Sequence, residues 1–154
     1  MRAFIGVPVD AAVALQLLAL RDEVLRGIGA SQPRAIPAAN FHLTLAFLGS
    51  VEEEKVDVLE AILSTVANEF CTFPQVLTSI VSFPGPAGLI VAAEGALADD
   101  LGLVHKRLNE RLLVSQFKPD SNKALRPHVS LGRLQFPVVP PVNTDCQIAV
   151  SVNS

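Results

Sequence analysis

Residues 40–50 read NFHLTLAFLGS and residues 127–133 read PHVSLGR. Each stretch sets a histidine at the head of an apolar, β-forming run, with a hydroxyl residue two places on: His42 and Thr44, His128 and Ser130. Residues two apart on a strand share one face and lie about 6–7 Å apart, so each imidazole has a hydroxyl beside it. Ser and Thr make up about a tenth of the chain. Meeting one at that offset after both histidines by accident is roughly a one-in-a-hundred event.

The two histidines stand 86 residues apart, and the same shift lays Phe4, Ile5 and Val7 over Ile90, Val91 and Ala93. It also lays a helix expected at about 10–28 over one at about 96–114. Asp10 can cap the first helix, whose apolar positions are Val13, Leu17, Leu20, Val24 and Ile28. Leu97, Leu101, Val104, Leu108 and Leu112 recur at the same spacing in the other. Between the units, Ser50 and Glu53 form a capping-box pattern before a helix whose stripe is Val56, Leu59, Leu63, Val66 and Phe70. PQVLTSIVSF (74–83) and LIVAA (89–93) read as strands around a turn, and CQIAVSV (146–152) as a last strand after the Pro-rich PVVPP.

Two strand–helix–histidine-strand units, at about 2–48 and 88–134, predict an α+β fold in a single domain over 1–154. It is two-lobed and pseudo-symmetric, with an antiparallel sheet in each lobe facing a central cleft and helices on the outer faces.

A chain of 154 residues, half of them apolar and 18% charged, suits one compact domain with a substantial core. The net charge of −3 argues against broad, nonspecific nucleic-acid binding, which needs a wide basic surface, but leaves room for a short or terminal ligand. Cys71 and Cys146 cannot form a disulfide framework, lack zinc-site spacing and read as buried small apolar residues. Pro8 and Asp10 interrupt the apolar start, and no run reaches the roughly 18 apolar residues of a membrane span. A soluble, cytoplasmic monomer without membrane partners is expected. His105 has no hydroxyl partner and reads as structural, and the acidic run Glu52–Glu54 suits the first turn of a helix.

If the lobes oppose their histidine faces, two imidazoles and two hydroxyls converge on one small space. Hydroxyls donate to nonbridging phosphate oxygens, while one imidazole removes a proton from attacking water and the other supplies one to the leaving alkoxide. Neither a metal nor a cofactor is needed for that division of labour, and neither motif adds a third ligand at zinc spacing. Arg133, five residues after His128, can add charge to the phosphate. Lys118, Lys123 and Arg126 form a basic loop before His128, with Arg126 the candidate for steering an anion.

The motifs HLTL and HVSL, their contexts NFHLTLAFLGSV and RPHVSLGR, and the start MRAFIGVPVD resemble the two-histidine (2H) phosphoesterase superfamily, in particular its RNA 2′,3′-cyclic phosphodiesterase branch, also known as 2′-5′ RNA ligase-like. The resemblance runs from residue 2 to about 134. It implies a two-lobed fold around a cleft and metal-independent hydrolysis of 2′,3′-cyclic phosphates, on RNA ends or small cyclic nucleotides, to 2′-phosphates. It further implies His42 as proton donor, His128 as proton acceptor, and Thr44, Ser130 and Arg133 as substrate-binding residues. The alternatives are 2′-5′ end joining by the same groups, or a nucleotide-binding module with little turnover. The chain departs from the family in having Ile36 where a tryptophan is common and no Trp or Tyr anywhere, so base stacking falls to phenylalanines such as Phe41 or Phe83. Ser130 also stands where threonine is commoner, which keeps the donor but loses the methyl that restricts its rotamer.

Overall fold

The computed structural model describes residues 1–28, 34–86, 88–120, 124–135 and 142–153. Its elements run β1 (Arg2–Pro8), α1 (Ala11–Gly27), β2 (Arg34–Ala35), β3 (His42–Ser50), α2 (Val56–Asn68), β4 (Phe73–Gly85), β5 (Gly88–Glu94), α3 (Asp99–Val114), β6 (His128–Leu134) and β7 (Asn143–Val152). The fold is α+β, with the strands paired antiparallel in the order β1-β3-β6-β5-β4-β7 and β2 added beside β6. The two expected sheets are therefore continuous, but barely so. A single register pair, Leu43 with Val129, joins β3 to β6.

The 86-residue shift reappears as geometry. Gly6 pairs with Thr44 in the first lobe and Ala92 with Ser130 in the second. Both histidine strands bulge at equivalent places: Thr44 and Ala46 take successive partners on β1 and leave Leu45 unpaired, and Ser130 and Gly132 do the same on β5 and leave Leu131 unpaired. A bulge reverses the alternation of faces. Beyond it Phe47 and Arg133 turn outward between buried neighbours, on the side already occupied by His42 and Thr44 or by His128 and Ser130.

The helices cross between the halves. α1 follows β1 but packs against β6 and β7, whereas α3 follows β5 but packs against β3 and α2. Leu17 and the fully buried Leu101 and Leu112 anchor these contacts. Each half thus lends its helix to the other, and neither buries its own sheet alone. None of the helices among the described residues is long and apolar enough to cross a membrane.

Asp10 caps α1 as its type and place predict, its Oδ1 accepting from Val13 N at 2.9 Å. The expected stripe is rotated, however: Ala14, Leu17, Arg21, Val24 and Leu25 are buried, and Arg21 lies among them at 6% exposure. Its Nη1 donates to Ile36 O (2.7 Å) and Leu131 O (3.3 Å), while Nε meets Asp22. Arg21 therefore shares the carbonyl of the bulged residue with Ile36 N and ties the segment that follows β2 to β6. Replacing Arg21 by Met keeps an apolar stem but leaves Ile36 O without this donor, at about 1–3 kcal/mol, while Leu131 O keeps its bond from Ile36 N. The urea midpoint should fall accordingly; a midpoint at the wild-type value would show that water replaces the guanidinium there.

Three expectations fail for tertiary reasons. Ser50 and Glu53 make no capping box, because a 3-10 turn over Glu53–Lys55 comes first and α2 begins at Val56. Leu63 is substantially exposed, and Ile62 takes its place in the stripe with Leu59 and Val66. Cys71 is exposed in the connection between α2 and β4, and Cys146 is half-buried on β7, where burial and then the Asp145 charge push its thiol pKa up.

Candidate active site

The joint between the lobes is where the two motifs meet. With Leu43 opposite Val129, antiparallel register sets His42 across from Ser130 and Thr44 across from His128. Leu43 and Val129 point into the core, at 1% and 0% exposure, so the four polar residues occupy the other face and are half-buried there. Imidazoles stand on one diagonal and hydroxyls on the other. In a regular antiparallel pair such a diagonal spans roughly 7–8 Å, a fitting width for one phosphate between two rings.

Both rings are held in the same way. His42 Nδ1 donates to Asn40 O, and His128 Nδ1 donates to Arg126 O, each at 2.7 Å. A carbonyl can only accept, so each Nδ1 carries hydrogen and each Nε2 is the nitrogen left for chemistry. Neutral, Nε2 accepts a proton; in the imidazolium, it gives one up. Asn40 and Arg126 are again 86 residues apart, so the duplicated backbone provides the lock.

The surroundings of the rings differ. Phe4 stacks on His42 with centroids 4.7 Å apart and 27° between planes. Gly6 makes the close approach possible, since a Cβ there would lie 3.2 Å from His42 Cδ2 and 3.3 Å from Phe4 Cε2. His128 instead meets Phe83 edge-on at 5.4 Å. Arg126 lies over Phe83 at 4.3 Å and is ion-paired with Glu94, the register partner of His128. Arg126 is thus engaged by a ring and a carboxylate, in place of the free steering charge its loop suggested.

Arg133 lies farther along β6, exposed on the histidine face because of the bulge, and Arg34 of β2 is its direct partner. Like charges placed opposite each other destabilise a sheet. Among the described residues no carboxylate pairs with either, so the two guanidiniums mark the second lobe as the cationic side. Lys118 is exposed, and Lys123 lies outside the described residues. His105 stands apart on α3, its Nε2 accepting from Asn109 Nδ2 at 3.2 Å, and burial lowers its pKa.

The aromatic expectation needs correction. Phe41 is 2% exposed and packs beneath the Arg21 guanidinium, and Phe83 is clasped between Arg126 and His128. The rings that face outward beside the site are Phe4 and Phe47. Sequence reading passed over them, as it did Arg34, Gly6 and Glu94; yet subtracting 86 from Arg133 lands on Phe47.

A sequence model described as LigT-like phosphoesterase matches residues 7–91. A protein named RNA 2′,3′-cyclic phosphodiesterase from Archaeoglobus fulgidus is 30% identical over 136 residues, spanning 88% of this chain and 73% of its own. One of the same name from Methanocaldococcus jannaschii is 26% identical over 138 residues, with the same coverage. Among solved structures, E. coli LigT complexed with 3′-AMP superposes with a TM-score of 0.66 at 25% identity, covering 97% of this chain and 83% of that one.

Proposed function

Since the chain belongs to the LigT-like phosphoesterase family, we propose that it hydrolyses 2′,3′-cyclic phosphodiesters on RNA ends or small nucleotides, with His42 and His128 as acid and base. The observation that carries this reading is the matched pair of Nδ1–carbonyl locks, which leaves two Nε2 atoms free at the single point where the lobes join.

The cyclic phosphate sits between the rings, its nonbridging oxygens taking hydrogen bonds from Thr44 and Ser130, with Arg133 countering its charge. His128 Nε2 accepts a proton from water as the water oxygen bonds to phosphorus. The bond from phosphorus to the 3′ oxygen breaks, and His42 Nε2 gives its proton to that oxygen, leaving a 2′-phosphate and a free 3′-hydroxyl. Proton exchange with solvent resets both rings.

The names of the archaeal relatives and the 3′-AMP complex of LigT support a nucleotide substrate class. The test is product identification by phosphorus NMR, using a panel of 2′,3′-cyclic nucleotides and a cyclic-ended oligonucleotide with EDTA throughout. A 2′-phosphate product at full rate in EDTA is expected. A 3′-phosphate would reverse the assignment of the leaving oxygen, and loss of turnover in EDTA would sink the metal-free mechanism.

A further inference from the structure

The two histidines are locked alike, but the carbonyls that lock them are supported differently. In the first unit the carbonyl that holds His42 belongs to the 3-10 turn Ala38–Asn40, which its own backbone closes: Asn40 N donates to Pro37 O at 2.9 Å and Phe41 N to Ala38 O at 3.1 Å. In the second unit the counterpart of Phe41 is Pro127, which has no N–H to close such a turn. Residues 124–127 form neither helix nor strand. One further backbone bond is common to both units, Val9 N to Phe41 O and Gly95 N to Pro127 O, each at 3.2 Å.

Side chains take the place of the turn. Arg126 Nε donates to Glu94 Oε2 on β5, and the guanidinium lies 4.3 Å over the ring of Phe83 on β4. The Phe83 ring in turn meets the His128 imidazole edge-on, with centroids 5.4 Å apart. Arg126 is therefore held from two strands, next to the ring that its own carbonyl orients. The 86-residue shift sets Pro8 at the place of Glu94 and Asn40 at that of Arg126, so the first unit has no charge at either position. Nor does it have a ring placed like Phe83, because the sheet order begins at β1 and no strand lies beyond it among the described residues. The clamp is present only in the unit that lacks the turn.

We propose that Arg126 is a positioning residue. Through Glu94 and Phe83 its side chain fixes the carbonyl that accepts from His128 Nδ1, and so keeps His128 Nε2 free of hydrogen in the neutral ring and aimed at the phosphate. This deepens the function proposed above and rests on it for the reaction that His128 serves. The hydrogen bond at one ring nitrogen decides which tautomer the imidazole adopts. A carbonyl that wandered would admit the tautomer with hydrogen on Nε2, which accepts no proton there. Exposed ion pairs contribute little to stability, so the clamp acts on orientation and leaves the folding equilibrium nearly unchanged.

Neither Arg126 nor Glu94 is buried, so their variants should fold. Arg126→Met keeps an apolar stem on Phe83 and loses the cation and its ion pair, whereas Arg126→Lys keeps a cation. On a 2′,3′-cyclic nucleotide, Arg126→Met should lower kcat by about 10- to 100-fold, the cost of a small misplacement, with KM nearly unchanged. Arg126→Lys should recover part of that loss. Glu94→Gln combined with Arg126→Met should cost no more than Arg126→Met alone, because both act through one device. Long-range 1H–15N NMR of the imidazoles at about pH 8.5, where an ordinary imidazole is neutral, reads the tautomers without turnover. His128 should shift from Nδ1–H toward a mixture in Arg126→Met, while His42 stays as it is in wild type. That shift in a protein that hydrolyses no cyclic nucleotide would uphold the clamp and overturn the hydrolytic reading. Turnover with both kcat and the His128 tautomer unchanged in Arg126→Met would overturn the clamp and leave the hydrolytic reading in place. The clamp would equally fall if KM alone rose, which would make Arg126 a charge on the substrate, or if kcat fell while the His128 tautomer stayed the same.

Discussion

Replacing either His42 or His128 by alanine is expected to lower kcat on a 2′,3′-cyclic nucleotide by about 10²–10⁴-fold, the range that one general acid or base supplies. Both rings are half-buried on the cleft face, and each is held by one hydrogen bond to a backbone carbonyl and by contact with one half-exposed phenylalanine ring, Phe4 or Phe83. Their removal should therefore cost little folding stability, and the thermal midpoint provides the control. KM should change far less than kcat, because a proton in flight contributes to the transition state and not to the ground state. The double variant should fall well short of the product of the two single losses: once one transfer is lost, the other gains less from being positioned. Steady-state kinetics on folded protein decides the matter. Near-wild-type turnover in either single variant would remove that histidine from the mechanism.

Thr44→Val and Ser130→Ala should each reduce kcat by about 10²-fold or somewhat more, the cost of losing one hydrogen-bond donor to a developing oxyanion. Valine matches threonine in shape, and alanine leaves only a small gap on a half-buried position, so packing is nearly conserved in both. The two losses report on opposite corners of the site, since continuing the antiparallel register from Leu43 and Val129 sets Thr44 across from His128 and Ser130 across from His42. Ser130→Thr should keep or raise activity, because the added methyl narrows the rotamers of a hydroxyl that must point at phosphate. If Ser130→Thr proved as slow as Ser130→Ala, the hydroxyl at this corner would have a role other than donating to the substrate.

Much of this architecture was legible before any coordinates. The histidine-x-hydroxyl spacing depends only on the two-residue alternation of a strand, and the 86-residue repeat needs only the chain laid against itself. Asp10 was readable as a cap for the same reason, since its hydrogen bond to Val13 N reaches three residues. The misreadings arose where a partner outside the local window decides. The capping-box pattern at Ser50 and Glu53 lost to a 3-10 turn that carries the chain from β3 into α2. Phe41 seemed available for stacking until α1 brought Arg21 across it.

What the sequence by itself determined is the chemistry within each motif: an imidazole and a hydroxyl on one face, twice, in two units of the same plan. What only the tertiary structure decided is how these halves address each other. One pair, Leu43 with Val129, brings the four groups to a point. Bulges at Leu45 and Leu131 turn Phe47 and Arg133 onto the same face, although both lie at an odd offset that simple alternation assigns to the core. The physical reason is that alternation is a property of one strand, whereas an unpaired residue in a ladder exists only relative to the strand beside it.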